Sequence, residues 1–309
     1  MVYVPGPTSD QEGIYLYDRK GGAQALTLLA GSYRYPRVSP DGKRVALESS
    51  EGREAFVSIY ELSGKTGPVR ITYGSNNRYP VWTDDGKHVA FQSDRNGDPA
   101  VFWQPIDGGT AEPLTKPEPG TTHVPESWSR DGVLLYSVRK GSTTTLWMLS
   151  MADRQTKVFG DVVSQGLPTN AVFSPDGQWV AYQIANQDAS EGSTYVQPFP
   201  ATGRRSEIGR GGRPLWSKNS NELFFIPAPA QWRAVTWSGP PFSFTPPVVV
   251  PRPFGISGPS TPRTFDFLPD GRLIGVGSAV TSATGASSQS EIRVVLNWFE
   301  ELKARVPVK

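Results

Sequence analysis

Arginine recurs at corresponding places along this 309-residue chain, each time just before a short apolar run: Arg34, Arg78, Arg213 and Arg263. A guanidinium presents a fork of donors that matches a carboxylate or a phosphate. Beside the arginines lie further polar and aromatic side chains: Tyr35, Tyr79, His123 and Asn170. Four cations in register would create a focused positive field in a chain whose formal net charge is only +2. These eight residues predict a binding surface for an acidic peptide, an acidic protein or an anionic glycan.

Catalytic and metal chemistry have little support in the sequence. The chain has no cysteine, which excludes disulfides, thiol nucleophiles and cysteine–zinc sites. Its two histidines are far apart, and no Gly-x-Ser-x-Gly elbow accompanies them. The stretch "DRNGD" at 94–98 begins like a calcium loop but lacks the bidentate glutamate, which favours a structural turn. We expect no catalytic residue, no metal and no cofactor, and a lone histidine such as His123 is more often structural.

The elements that must position the arginines are repeats. The stretch "VSPDGKRVALES" at 38–49 returns as "WTDDGKHVAFQS" at 82–93, and further copies follow at intervals of about 45 residues. The repeated turns are centred on Asp41, Asp85, Asp131, Asp176, Ser220 and Asp270. In a Pro-Asp-Gly turn the proline presets φ, the aspartate caps and the glycine takes the positive φ. The alternating run that follows, as in Val45 and Leu47, predicts a strand with one buried face.

Four antiparallel strands in about 45 residues are typical of a β-propeller blade. We therefore predict an all-β propeller of four-stranded blades that spans residues 1–309 as one domain. The N-terminal stretches "VYV", "GIYLYDR" and "ALTLL" provide a second, a third and a fourth strand, and the C-terminal repeat provides a first, a second and a third, which gives seven blades. A six-bladed ring is the alternative, if "VYV" is not a strand and the N-terminal pair completes the final blade. The spacing of Phe299, Leu302 and Val306 predicts a short C-terminal helix over 298–306.

The geometry of a propeller predicts where the arginines lie. The innermost strands surround a central channel, and the loops that lead into them form a funnel on one face, where the eight residues lie. Large aromatic residues at positions 82, 128, 173, 216 and 267 predict packing between blades in preference to ligand stacking. The funnel arginines have a competing interpretation, in which each pairs with an Asp or Glu of the neighbouring blade.

The repeats "SPDGKRVA" and "WTDDGKHVAFQSDRNG" resemble the TolB-type, WD40-like (PD40) propeller repeat. The stretches "VYVPG", "RYPRVSPDG" and "IRVVLNWFEELKARVP" resemble parts of the propeller that lies C-terminal to membrane-anchored bacterial serine/threonine kinases. That resemblance implies a kinase domain upstream, a membrane segment, and a propeller outside the membrane that acts as a sensor. The sequence itself has no Gly-rich loop, no "HRD" and no "DFG", so the kinase domain is absent from this chain.

These observations predict a non-catalytic sensor or interaction domain of a larger bacterial membrane kinase, located in the periplasm or at the cell surface. The alternatives are a carbohydrate-active lyase or hydrolase that uses the same funnel, and a purely structural assembly platform. The near-neutral charge argues against a nucleic-acid partner. No apolar run approaches the roughly 18 residues that span a membrane, and the segment shows no signal-peptide pattern. We expect a monomer cut from a longer protein.

Overall fold

The computed structural model describes the chain in ten stretches: residues 2–3, 13–18, 22–26, 28, 32–185, 192–228, 231–239, 243–250, 262–277 and 293–294. Within these stretches the strands form six antiparallel sheets arranged as propeller blades, together with one separate strand pair. The first strands of blades 1 to 5 contact each other in succession, and that of the sixth blade contacts that of blade 1, so these strands line the central channel. The predicted helix over 298–306 lies outside the described residues.

Five blades follow one another along the chain, each built from inner to outer strand. Blade 1 consists of Ser32–Val38, Arg44–Glu51, Glu54–Glu61 and Val69–Arg70. Blade 2 consists of Asn77–Trp82, His88–Ser93, Ala100–Pro105 and Glu112–Pro113. Blade 3 consists of Thr121–Trp128, Val133–Lys140, Thr143–Ser150 and Thr156–Gln165. Blade 4 consists of Val172–Phe173, Trp179–Ile184, Ser193–Pro198 and Ser206–Arg210. Blade 5 consists of Gly212–Trp216, Glu222–Ala228, Gln231–Ser238 and Ser243–Phe244, with Val248–Val250 also paired to its third strand.

The sixth blade, here called the closing blade, joins distant parts of the sequence. Its strands, from inner to outer, are Phe265–Phe267, Leu273–Gly277, Gly13–Tyr17 and Ala23–Ala25. The expected count of seven blades is therefore wrong, and the six-bladed alternative is confirmed. The extra blade was inferred from "VYV", but Val2–Tyr3 pairs with Arg293–Val294 outside the blades and is not a second blade strand.

The repeated turn folds by local hydrogen bonding. The hydroxyl of Ser39 donates to the carboxylate of Asp41 at 2.6 Å, and that carboxylate accepts the backbone N–H of Lys43 at 3.0 Å. Gly42 follows with a φ of 71°, a conformation that glycine adopts at little cost. In the fifth turn Asn219, which accepts from the hydroxyl of Ser217 at 3.0 Å, replaces the aspartate. That turn is thus centred one residue before Ser220, the position expected from the sequence.

The recurring aromatic residues pack between blades. Trp82, Phe173, Trp216 and Phe267 are each less than a tenth exposed. The indole N–H of Trp82 donates to the carbonyl of Arg37 in the preceding blade at 2.8 Å, and that of Trp216 donates to Val172 at 3.2 Å. A buried indole with a hydrogen-bond partner contributes both apolar area and orientation. These contacts hold neighbouring inner strands at a fixed distance from the channel.

Candidate functional site

The inner strands share an irregularity near the funnel. Four residues with a side chain adopt a left-handed φ, each six residues before the turn carboxylate or amide: Tyr35 at 49°, Tyr79 at 55°, Asn170 at 47° and Arg213 at 56°. The strand ladders of blades 1, 2 and 5 shift register at this place. Left-handed side-chain residues are strained, and such strain is concentrated at functional sites. The bulge re-aims the side chains that follow it.

The four predicted arginines differ in repeat position and in exposure. Arg34, Arg78 and Arg263 each lie seven residues before the turn, whereas Arg213 occupies the later, left-handed position that the two tyrosines take in blades 1 and 2. Arg34 is exposed and Arg78 is half-buried, but Arg213 and Arg263 are each 5% exposed. Burial lowers the pKa of Arg213 to about 10. The mouth of the funnel therefore presents two arginines, and the other two belong to its wall.

A buried carboxylate lies between the two arginines of the mouth. Glu48 is 5% exposed, lies opposite Arg34 in the strand ladder, and accepts the backbone N–H of Tyr79 at 3.3 Å. Burial raises its pKa to about 7, against the opposing effects of the nearby Arg78 and Arg34 charges. Glu48 thus offsets part of the positive charge of the mouth when it is ionised.

The two tyrosines of the set form a pair. The rings of Tyr35 and Tyr79 lie 4.8 Å apart, centroid to centroid, at an interplanar angle of 65°. This edge-to-face arrangement is favoured by the ring quadrupoles. Burial raises the pKa of both hydroxyls, and the Tyr79 hydroxyl also interacts with the Arg78 guanidinium. The pair forms a rigid corner of the mouth that is neutral at physiological pH.

His123 serves the packing of blades 2 and 3. Its Nδ1 lies 2.9 Å from the hydroxyl of Thr115, and its carbonyl accepts the side-chain N–H of Gln92 at 2.7 Å. The residue is 6% exposed, and burial lowers its pKa to about 4, so the ring is neutral at pH 7. It lies eight residues before its turn, a position that corresponds to Asn77 of blade 2. The structure therefore places His123 in the wall, apart from the mouth arginines.

A layer of charged side chains crosses the channel below the mouth: Arg37, Glu126, Arg263 and Asp266. The guanidinium of Arg37 donates to the carbonyls of Pro36 and Arg263 at 2.8 and 2.9 Å. That of Arg263 donates to the carbonyls of Phe265 and Pro214 at 3.1 and 3.3 Å. Both guanidiniums are thus held by neutral carbonyl oxygens.

The carboxylates of this layer are likewise held by neutral donors. Glu126 accepts from the hydroxyls of Ser137 and Thr169 and from the backbone N–H of Ala171. Asp266 accepts the backbone N–H groups of Val38 and Phe267, each at 2.9 Å. Among the described residues, no ion pair joins either guanidinium to either carboxylate. The layer thus contains two cations and two carboxylates that form no direct ion pair with one another.

Burial shapes the electrostatics of the layer. It lowers the pKa of Arg37 to about 9, and the neighbouring Arg263 charge acts in the same direction. It raises the pKa of Glu126, against the opposing effect of the hydrogen bonds that the carboxylate accepts. At neutral pH Arg37 remains a cation in a poorly solvated place, where an approaching anion would interact with it strongly.

Two cavities meet at this layer. The mouth cavity, on the funnel side, has a volume of about 370 Å³, and Tyr79, Asn170, Arg37, Glu126 and Arg263 line part of it. A second cavity of about 360 Å³ lies on the side of the repeated turns and is lined in part by the same Arg37, Glu126 and Arg263. The charged layer therefore lies where the two cavities adjoin. Among the described residues, no three metal-ligating side chains cluster together.

The sequence contained a signal for the missed residues of the layer. Arg37 and Asp266 both lie four residues before the turn, where the other repeats carry Val81, Ser127, Val172 and Leu215. Glu126 lies five residues before the turn, where the other repeats carry Pro36, Pro80, Ala171, Pro214 and Phe265. A charged residue at a position that other repeats fill with uncharged ones marks a special environment.

Comparison with known proteins identifies the family. The model of the TolB beta propeller domain, PD40, matches residues 6–225, which is more than half of the chain. The chain belongs to this family. No helix in the described part of this TolB-type propeller has the length and hydrophobicity to cross a bilayer. None of the curated proteins compared with the sequence matches it.

Solved structures agree with the fold of this TolB-type propeller. A putative TolB from Agrobacterium tumefaciens is 17% identical, with a TM-score of 0.64 over 87% of this chain and 98% of that chain. TolB from Acinetobacter baumannii is 16% identical, with a TM-score of 0.59 over 80% of this chain and 68% of that chain. A chain of the nidogen/laminin complex is 13% identical, with a TM-score of 0.56 over 73% of this chain and 89% of that chain. At these identities the likeness shows the fold alone.

Proposed function

We propose that this TolB-type propeller is a non-catalytic binding domain that takes an acidic protein segment at the mouth of its channel. The observation that carries the proposal concerns two cations: Arg37 and Arg263 line the mouth cavity, and neither forms an ion pair with a carboxylate in the described part of the chain. Arg34 and Arg78 extend the positive surface outward, above a Glu48 that is only partly ionised at neutral pH.

A rigid scaffold suits this role. Six blades hold the inner strands, and the buried indole contacts between blades fix their spacing. Binding to a preformed cavity avoids the entropic cost of ordering the receptor. The charge of the mouth would raise the rate of encounter with an acidic partner, and added salt would reduce it.

The test is binding of a labelled deca-aspartate peptide, measured by fluorescence anisotropy at two salt concentrations. We expect the double variant Arg34→Ala/Arg78→Ala to bind at least tenfold more weakly than the native chain, and the salt dependence to become shallower. The matched control is Lys43→Ala/Lys87→Ala, which removes the same charge from the exposed turns at the opposite end of the first strands. Equal loss in both double variants, or no binding by the native chain, would show that the proposal is wrong.

The catalytic alternative has a separate readout. A puromycin-hydrolysing peptidase of Mycobacterium tuberculosis shares the fold at a TM-score of 0.54 and 15% identity. Incubation of the propeller with polygalacturonate and with acidic peptides, followed by chromatography of products, distinguishes an enzyme from a binding domain. Unchanged substrate together with measurable binding is the expected result.

The cellular setting belongs to the same proposal. We infer that the propeller lies outside the cytoplasmic membrane as the sensor domain of a larger kinase, and the resemblance of "IRVVLNWFEELKARVP" to the end of kinase-linked propellers supports this. Protease accessibility of the natural full-length protein in intact and in permeabilised cells tests the location. Digestion only after permeabilisation of the cytoplasmic membrane would contradict it.

A further inference from the structure

The mouth cavity contains a hydrogen-bond donor whose direction is fixed. Asn170 is 3% exposed, and its side-chain oxygen accepts the backbone N–H of Arg263 at 2.9 Å. Because that bond assigns the amide orientation, the other end of the amide must be Nδ2, a donor only. Nδ2 is buried and has no hydrogen-bond partner. A buried amide without a partner costs free energy, and Asn170 is among the residues that line the mouth cavity.

A second donor in the same cavity lacks a partner. The Nη1 group of Arg37 donates to two backbone carbonyls, but its Nε is buried and has no acceptor. Both Arg37 and Asn170 line the mouth cavity. The nearest carboxylate of the layer that lines the cavity, Glu126, already accepts three hydrogen bonds from the wall of the channel. Two residues at the floor of the cavity thus each carry a hydrogen-bond donor without an acceptor, and one of the two residues is a cation.

The rest of the lining combines apolar residues with polar ones, among them Arg139, Ser142 and Thr144. Val124, Pro125, Leu167, Pro168 and Pro262 contribute to the lining. Proline has no backbone N–H, so three of these five residues provide no main-chain donor to a strand that runs along the wall. The charged layer adjoins the cavity from below, since the second cavity shares Arg37, Glu126 and Arg263 with it. A peptide that enters the cavity from the funnel side therefore meets the charged layer at the inner end of the cavity.

We propose that the mouth cavity binds the free C-terminal carboxylate of a protein segment, with Asn170 Nδ2 and Arg37 Nε as its donors. This inference rests on the proposed function, and it names the group that the site recognises. A carboxylate supplies up to four acceptor positions and makes charge-assisted hydrogen bonds that are stronger than those of a neutral carbonyl. An ordered water would satisfy the same donors in part, and the experiment separates the two.

The experiment compares two deca-aspartate peptides that differ only at the C-terminus, one a free acid and the other an amide. We expect the free acid to bind the native chain about tenfold more tightly. Asn170→Asp keeps the acceptor for the Arg263 N–H and replaces the free donor with an acceptor, so it should reduce the preference to twofold or less. Asn170→Gly adopts the left-handed φ without strain, but it removes the acceptor of the Arg263 N–H together with the donor. This second variant should show the same loss of preference, accompanied by a loss of stability.

A direct readout accompanies the peptides. The side-chain resonances of Asn170 Nδ2 and Arg37 Nε–H in the ¹⁵N-labelled chain are followed during titration with sodium acetate, and with sodium chloride at equal ionic strength. We expect saturable shifts of both resonances with acetate alone. Equal shifts with chloride, or none with acetate, would mean that water satisfies the donors and that the inference is wrong. Equal affinity for acid and amide would also overturn it and leave the proposed function standing, whereas failure of both peptides to bind would overturn the proposed function.

Discussion

The side-chain carbonyl of Asn170 accepts the backbone N–H of Arg263 at 2.9 Å, across 93 residues of chain. The bond joins blade 4 to the segment that begins the closing blade. It also orients the amide that faces the mouth cavity, so one hydrogen bond contributes both to ring closure and to the site.

Replacement of Asn170 should therefore affect stability as well as binding. Asn170→Ala leaves the buried Arg263 N–H without an acceptor and places alanine at a left-handed φ, which together should cost about 2–4 kcal/mol. Asn170→Asp retains the acceptor and should cost less. Urea unfolding followed by tryptophan fluorescence measures both, and equal losses for the two variants would contradict this account.

The left-handed backbone at the mouth predicts an unusual order of stability. Tyr79→Ala and Tyr79→Gly both lose the aromatic ring, but only glycine adopts a φ of 55° without strain. We expect the glycine variant to be more stable than the alanine variant by about 1 kcal/mol. In a regular strand the order would be reversed, so a similar pair at Val89, which lies in a regular part of blade 2, provides the control. The difference is read from urea unfolding midpoints at constant slope.

Glu48 should make binding of an acidic partner depend on pH. Its pKa of about 7, raised chiefly by burial, means that the carboxyl loses its charge as pH falls below neutrality, while Arg34 and Arg78 keep theirs. The positive charge of the mouth therefore increases toward acid pH. We expect affinity for deca-aspartate to rise about threefold between pH 8.5 and 5.5, the effect of one partly screened charge. Glu48→Gln should flatten this profile, and an unchanged profile in that variant would assign the effect to another group.

His123 should contribute to acid lability. Because burial lowers its pKa to about 4, the unfolded chain binds more protons than the folded chain between pH 6.5 and 4. The contribution of His123 is complete above pH 6.5 and is lost as pH falls through 4, by about 3 kcal/mol at the lower limit. His123→Asn keeps a hydrogen-bonding group near Thr115 and does not titrate. The variant should lose less stability than the native chain over this interval, and parallel curves would exclude the histidine as the source.

The propeller was predictable from the sequence because each blade contains a turn whose residues lie close together in the sequence. Asp41 and its counterparts determine a turn through contacts within five residues, so the repeat can be recognised without a structure. The blade count depends on pairings between residues at opposite ends of the chain. Val2 pairs with Val294 and Gly13 with Gly277, and no local pattern distinguishes these partners from others.

The site was predictable only in part for a related reason. The equivalent positions of Arg34 and Arg78 follow from the repeat, although the structure places both residues at the start of first strands and leaves Arg78 half-buried. The left-handed φ of Asn170 and Arg213 has no glycine to indicate it, and the burial of Arg263 depends on carbonyls of Pro214 and Phe265 that only the folded ring brings near. The charged layer below the mouth has only an indirect signal in the sequence, which is the charged residues at repeat positions that are uncharged elsewhere.

The pairing of Gly13–Tyr17 with Leu273–Gly277 determines how the ring would respond to mechanical load. Gly13 lies opposite Gly277 and Tyr17 lies opposite Leu273, so the chain enters and leaves this ladder at the same edge. A pull applied at those two glycines would unzip the ladder one residue pair at a time, instead of shearing all of its hydrogen bonds together. A pull at these two residues would therefore load the ladder of the closing blade before the five blades that are continuous in sequence.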